Sequence, residues 1–146
     1  MMQRLVLFQV SGRRFGLDMA LAKSIEATNV PQAKGSDWRN RGTLVVDGEK
    51  VPIYDLAAIM DDTTFTHDAR NRKVILVKVQ GRYLALLVDR MDRPVEVDND
   101  LVEPLPPIFR GPPRDCFPKV LRREDELILI LSPEGLGRIA KHREGV

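Results

Sequence analysis

Two stretches of this chain repeat one pattern of apolar and polar positions. Leu5-Val-Leu-Phe-Gln-Val-Ser-Gly-Arg13 aligns without gaps on Val74-Ile-Leu-Val-Lys-Val-Gln-Gly-Arg82. In both, a run of strand-forming residues meets a polar-Gly-Arg turn. A second apolar run then follows, Phe15-Gly-Leu-Asp-Met19 in one copy and Leu84-Ala-Leu-Leu-Val88 in the other. Apolar runs rich in β-branched and aromatic residues and separated by a Gly turn read as hairpins.

Each predicted hairpin is followed by a polar connector and a further hairpin. The first of these lies within Gly42-Thr-Leu-Val-Val-Asp-Gly-Glu-Lys-Val-Pro-Ile-Tyr-Asp-Leu56, with its turn at Asp47-Gly48. A two-residue turn that matches strand twist needs positive φ, which Gly supplies freely and Asp tolerates. Pro52 has no N–H to give, so its strand is expected at an edge or with its N–H side turned from the pairing neighbour. The second spans Phe117 to Leu131, with Arg122-Arg-Glu-Asp-Glu126 as the turn between Val120-Leu121 and Leu127-Ile-Leu-Ile-Leu131. The order hairpin, connector, hairpin thus occurs twice, in halves of about residues 4–60 and 72–136 joined by a polar connector at about 61–71.

Short strands at close spacing predict an all-β chain, and sheets this small close on themselves to protect their edges. Two small barrels packed together are the expected architecture. Helical pattern is scarce: one turn at Ala20-Leu-Ala-Lys-Ser24, one at Leu56-Ala-Ala-Ile-Met60, and a short C-terminal helix from Pro133 to His142 weakened by two glycines. Pro104, Pro106, Pro107, Pro112 and Pro113 mark a long loop whose fixed φ angles reduce the entropy lost on folding.

With 146 residues the chain can bury roughly 70% of its unfolded surface without a metal or disulfide. Cys116 is the only cysteine, which excludes an intramolecular disulfide and fits a reducing compartment. No apolar run approaches the ~20 residues of a bilayer span, and Met1-Met2-Gln3-Arg4 leads into a strand without a secretory h-region, so a cytoplasmic protein with no membrane insertion is expected. The 23 basic and 21 acidic residues leave a net charge of +2, too weak a field to demand nucleic acid or membrane.

The inventory for catalysis is thin. His67 falls in the connector and His142 in the tail, and Cys116 has no catalytic signature around it. Asp98-Asn-Asp100 lacks the other ligands of a calcium loop, and Asp61-Asp62 reads as a solvated pair. No enzyme, cofactor or metal site is expected. Basic pairs at Arg13-Arg14, Arg39/Arg41, Arg70/Arg72-Lys73 and Arg122-Arg123 keep a small-barrel nucleic-acid binder as an alternative. It is the weaker one, because aromatic residues for base stacking are only 5% of the chain.

The central hairpin, with a Gly opening an apolar strand, a Gly turn, and Val51-Pro-Ile-Tyr-Asp-Leu56 closing the unit, resembles the signature of the CheW-like domain family. The resemblance extends from about Leu5 to Leu136 through Phe15-Gly-Leu-Asp18, Pro31, Leu87-Val-Asp89, the Pro104 to Pro107 stretch and Leu127 to Leu131. It implies two five-stranded, SH3-like barrels packed together, and a non-catalytic adaptor that ties chemoreceptor tips to the regulatory region of the histidine kinase CheA.

The same resemblance implies the site residues. Ala22 and Ser24 take the kinase-side positions, where the family pattern has a β-branched residue and an acid. Arg41, Asp47, Gly48, Val74 and Met91 take the receptor-side or groove positions, with Trp38 as either an interface anchor or a lid over a barrel end. Asp47 stands where the family usually has Arg, Lys119 where it commonly has Gly, and Ser132 where it usually has Asp. Asp47 therefore stands against receptor contact of the usual kind and leaves open a divergent scaffold for another protein partner. It is also a natural turn former, just as Val74 and Met91 are natural core residues.

Overall fold

The repeated hairpins form where the pattern places them. The structure is a computed structural model and describes residues 1–10, 12–27, 43–56, 73–106 and 115–137. Strands β1 (Met2–Val10) and β2 (Arg13–Asp18) pair antiparallel from Leu5↔Asp18 to Val10↔Arg13. Their counterparts β6 (Lys73–Val79) and β7 (Arg82–Val88) pair from Lys73↔Val88 to Val79↔Arg82. The two-residue turn has φ 50° at Gln80 and 79° at Gly81. The central hairpin joins β4 (Thr43–Val46) to β5 (Glu49–Asp55) through a turn with φ 50° at Asp47 and 81° at Gly48, the left-handed geometry that Asp-Gly predicts.

The strands collect into two sheets. One holds five, in the order β3-β6-β7-β5-β4, where β3 is Ala22–Ala27. The other has the order β10-β11-β12-β2-β1-β8, where β8 is Arg90–Met91, β10 Val102–Pro104, β11 Lys119–Arg123 and β12 Glu126–Ile130. A seventh strand, β9 (Val95–Asp98), also pairs with β1. Because β8 faces Phe8 and Gln9 while β9 faces Met2 to Leu5, the two act as one interrupted strand along β1.

Both sheets follow one plan. Each repeated hairpin carries an antiparallel strand on its first member, β8/β9 on β1 and β3 on β6. Each receives a parallel strand on its second, β12 on β2 and β5 on β7. The repeat extends to the parallel contacts, where Ile130 faces Gly16 and Ile53 faces Ala85. The sheets do not follow the sequence halves, however. The five-stranded sheet is drawn from residues 22–88, across the connector, and the other takes its strands from both sides of that span. The chain passes between sheets at a 3-10 turn, Met19–Leu21, and again at Asp89, whose N–H donates to the Gln9 carbonyl at 3.0 Å.

Burial explains why the repeated runs are continuously apolar instead of alternating. Strands covered on both faces lose the polar face that alternation would reveal. On β1, Leu5 and Leu7 face the core of their own sheet with Val97, Leu121 and Ile128, while Phe8 and Val10 face the other way. On β6, Val74 and Leu76 join Val51, Ile53, Ala85 and Leu87, while Ile75 and Val77 face the other way. The outward sets meet in a third and largest cluster between the sheets, with Phe15, Leu17, Tyr54, Leu86, Phe117 and Leu136.

Four expectations are corrected by local detail. Residues 20–24 are not one helical turn: the 3-10 turn ends at Leu21, and Ala22 and Ser24 lie in β3. Of the two places expected for Pro52, the edge strand is the one ruled out, since β5 lies between β7 and β4; Pro52 sits one residue before the parallel ladder to β7 begins at Ile53. The last hairpin turns at residues 124 and 125 alone, with φ 52° at Glu124, and Arg122, Arg123 and Glu126 are strand residues. Polar composition there marks the exposed ends of the two strands and not a wide turn. Among the described residues, one sheet has seven strands where five were expected, because β8/β9 is broken and β10 is added at the edge. After β12 the chain is helical at residues 133–137, and the Gly135 N–H donates to Ser132 Oγ at 3.2 Å, the capping contact that Asp at position 132 would also make.

Candidate functional site

Among the described residues, the expected site positions fall on the β3 edge of the five-stranded sheet, on the β4–β5 turn, and on β6 and β8. At one edge, Ala22 opens β3: its N–H bonds to the Met19 carbonyl, it pairs with Val77, and its half-buried side chain packs on the central cluster. The register shifts between Ala22 and Ser24, which pairs with Leu76. A bulge of this kind bends an edge strand and changes which side chains it presents. The two positions expected on the kinase side therefore lie in an edge strand.

Across the sheet, β4 forms the other edge, with Val45 72% exposed. Asp47 and Gly48 are exposed at the tip of the turn, and a Cβ on Gly48 would meet nothing within 4 Å. Gly48 is thus required by its backbone angle and not by crowding. Met91 is half-buried on β8, opposite Phe8, and packs on the central cluster beneath the surface. Val74 is 1% exposed inside the core of its own sheet, so the groove position implied for it is corrected: it offers no surface to a partner. Arg41 and Trp38 lie outside the described residues, as do Pro31, the connector, His67 and His142.

The chemistry-bearing residues that are described have structural places. Cys116 is fully buried in the central cluster. Asp98 accepts from the Asp100 N–H at 3.0 Å and caps the 3-10 turn Asn99–Leu101, which accounts for the acidic triplet. Several basic residues are matched by acids: Arg4 with Glu96 at 3.0 Å and Arg122 with Glu103 at 3.4 Å, each on a neighbouring strand, and Arg14 with Glu126 on β12 at 3.7 Å and with Asp92, just after β8, at 3.4 Å. Asp92 also accepts from Gln9 Nε2 at 3.0 Å. Exposed pairs like these add little stability, but they break up any basic stripe of the kind that tracks a phosphate backbone.

A model of the CheW-like domain matches residues 4–140. The chain belongs to the CheW-like domain family. Among curated proteins, none matches it in sequence. A similar solved structure is the scaffolding protein TtCheW from Thermoanaerobacter tengcongensis, 20% identical over 90% of each chain with a TM-score of 0.74. The two curled sheets are the paired SH3-like barrels of the CheW-like fold. Members of the family are non-catalytic scaffolds. No described helix is long and apolar enough to cross a membrane.

One feature of the surface carries no signal in the sequence. A groove of about 420 Å³ opens where the two barrels meet, lined by residues as distant in the chain as Gln3, Lys78, Lys119 and Ser132. Only the exchange of strands between sequence halves brings these positions together.

Proposed function

We propose that this chain is a non-catalytic adaptor that couples chemoreceptors to the regulatory domain of a CheA-type histidine kinase. The observation that carries the reading is the family match over residues 4–140 of a chain folded as two paired barrels. The kinase docks on the β3 edge near Ala22 and Ser24, and the receptor tip lies against the β4–β5 turn near Asp47 and Gly48. A large apolar layer joins the barrels, so a partner on one barrel meets a block whose other face is already ordered. Two partners on such a block are coupled to the extent that each favours a distinct arrangement of the whole.

Asp47 favours a second reading, a scaffold for another protein partner without conventional receptor contact. Its carboxylate is exposed at the turn tip, where the family has a cation. Replacing it tests the difference. Asp47→Arg is expected to tighten binding to a conventional receptor-tip fragment by roughly three- to fivefold, the scale of one exposed ion pair, while kinase-domain affinity stays constant. Titration of both variants with the same fragment reads this directly, and equal affinities would remove Asp47 from the receptor contact.

A further inference from the structure

We propose that residues 132–137 form a strap that clasps the two barrels at one end of their junction and lifts as a unit while both sheets stay folded. The strap is a property of the fold alone and stands whether or not the adaptor reading does. It begins where the ladders stop: the Leu131 N–H donates to the Gly16 carbonyl at 2.7 Å, and the chain then leaves the sheet. Among the described residues, one backbone bond ties the strap to another segment, from the Ser132 N–H to the Cys116 carbonyl at 2.6 Å. The chain turns helical at once, with the Leu136 N–H returning to the Ser132 carbonyl at 3.1 Å. Pro133, Gly135 and Leu136 are buried, Glu134 is exposed, and Leu136 enters the cluster between the sheets.

The two glycines that weaken a helix in sequence have a spatial reason here. A Cβ on Gly135 would overlap the Asp115 carbonyl oxygen and crowd the Cys116 Cα, so glycine is what lets the strap close on the segment leading into β11. A Cβ on Gly137 would stand 3.9 Å from Leu84 Cδ1, on β7 of the five-stranded sheet. The strap therefore reaches from one barrel to the other. Its hold is slight beside that of the strands: β1 and β6 are paired along both edges, whereas the strap has one outward backbone bond and one buried leucine. Segments with so few contacts open at a lower free energy than the whole fold. Close-packed seats are bistable and not continuously deformable, so the strap is either seated or lifted. Lifting it uncovers Cys116 and removes the bridge between Asp115 and Leu84.

The test uses the full chain and alkylation of Cys116, the only cysteine, by iodoacetamide. In the wild type, alkylation is expected to report an opening at least about tenfold more populated than the one that exchanges the Phe8 and Ile75 amides, and to change little with low denaturant. Gly135→Val should alkylate about a hundredfold faster, with the strand signal in circular dichroism retained. Amide shifts in that variant should change at Phe117 and at Leu84, on opposite sides of the junction. Wild-type alkylation that follows global unfolding, with its full denaturant dependence, would overturn the proposal. So would a Gly135→Val protein that alkylates as slowly as the wild type, or shifts on one side alone. If Gly135→Val does not fold, the wild-type alkylation still decides the question.

Discussion

Fragments 1–60 and 72–146 are expected to be unfolded when separate and to assemble on mixing. The first carries β1 to β5 and the second β6 to β12. Alone, the first lacks the strands on both sides of β1–β2, which are β8, β9 and β12, and the strand β7 beside β5. The second lacks β1, β2, β3 and β5 in the same way. Each fragment would expose half of the central cluster, Phe8, Phe15 and Leu17 on one side and Ile75, Leu86 and Val88 on the other. Chains of this size already bury too little surface to tolerate such a loss. Far-ultraviolet circular dichroism of each fragment and of the mixture reads the outcome. A fragment with a cooperative melt of its own would mean that the barrels do not depend on strand exchange.

Phe15→Ala is expected to lower global stability by about 3–5 kcal/mol, the usual cost of truncating a buried Phe. Phe15 is 1% exposed in the central cluster, its ring centroid 5.8 Å from Phe8 and 5.1 Å from Phe117. The whole fold is worth about 5–15 kcal/mol in domains of this class, so one truncation removes a large fraction of it. Because the cluster includes residues of both sheets, the loss should be shared. Amide exchange in β6–β7 should accelerate along with that in β1–β2, although Phe15 belongs to the seven-stranded sheet. Acceleration confined to β1–β2 would show that the barrels open independently.

These effects lie at the boundary of what the sequence discloses. The hairpins were legible because their signals are local: a Gly turn, a run of strand formers, and the positive φ that Asp47 and Gly48 supply. The repeat of Leu5 to Arg13 in Val74 to Arg82 was legible for the same reason. Which hairpin joins which sheet was not, because strand pairing between distant segments leaves no periodic trace. Leu5, Leu7, Val74 and Leu76 differ from their neighbours Phe8, Val10, Ile75 and Val77 only in the face they cover, and both faces are apolar.

The same limit applies to the site. Asp47 could be placed at a turn tip from its neighbours alone. Val74, implied for a groove, is core, and β3 replaces a helical turn at Ala22 and Ser24 because pairing with β6 outweighs the weak helical preference of that stretch. Nothing in the sequence relates Lys78 to Lys119, and only the meeting of the two barrels puts them on one groove.

The adaptor account is tested most directly by calorimetric titration of the full chain with the regulatory domain of a CheA-type kinase from the same cell. The account predicts saturable one-to-one binding in the micromolar range, about 8 kcal/mol at 1 μM. Absence of heat and of complex formation with every such domain in that cell would contradict it.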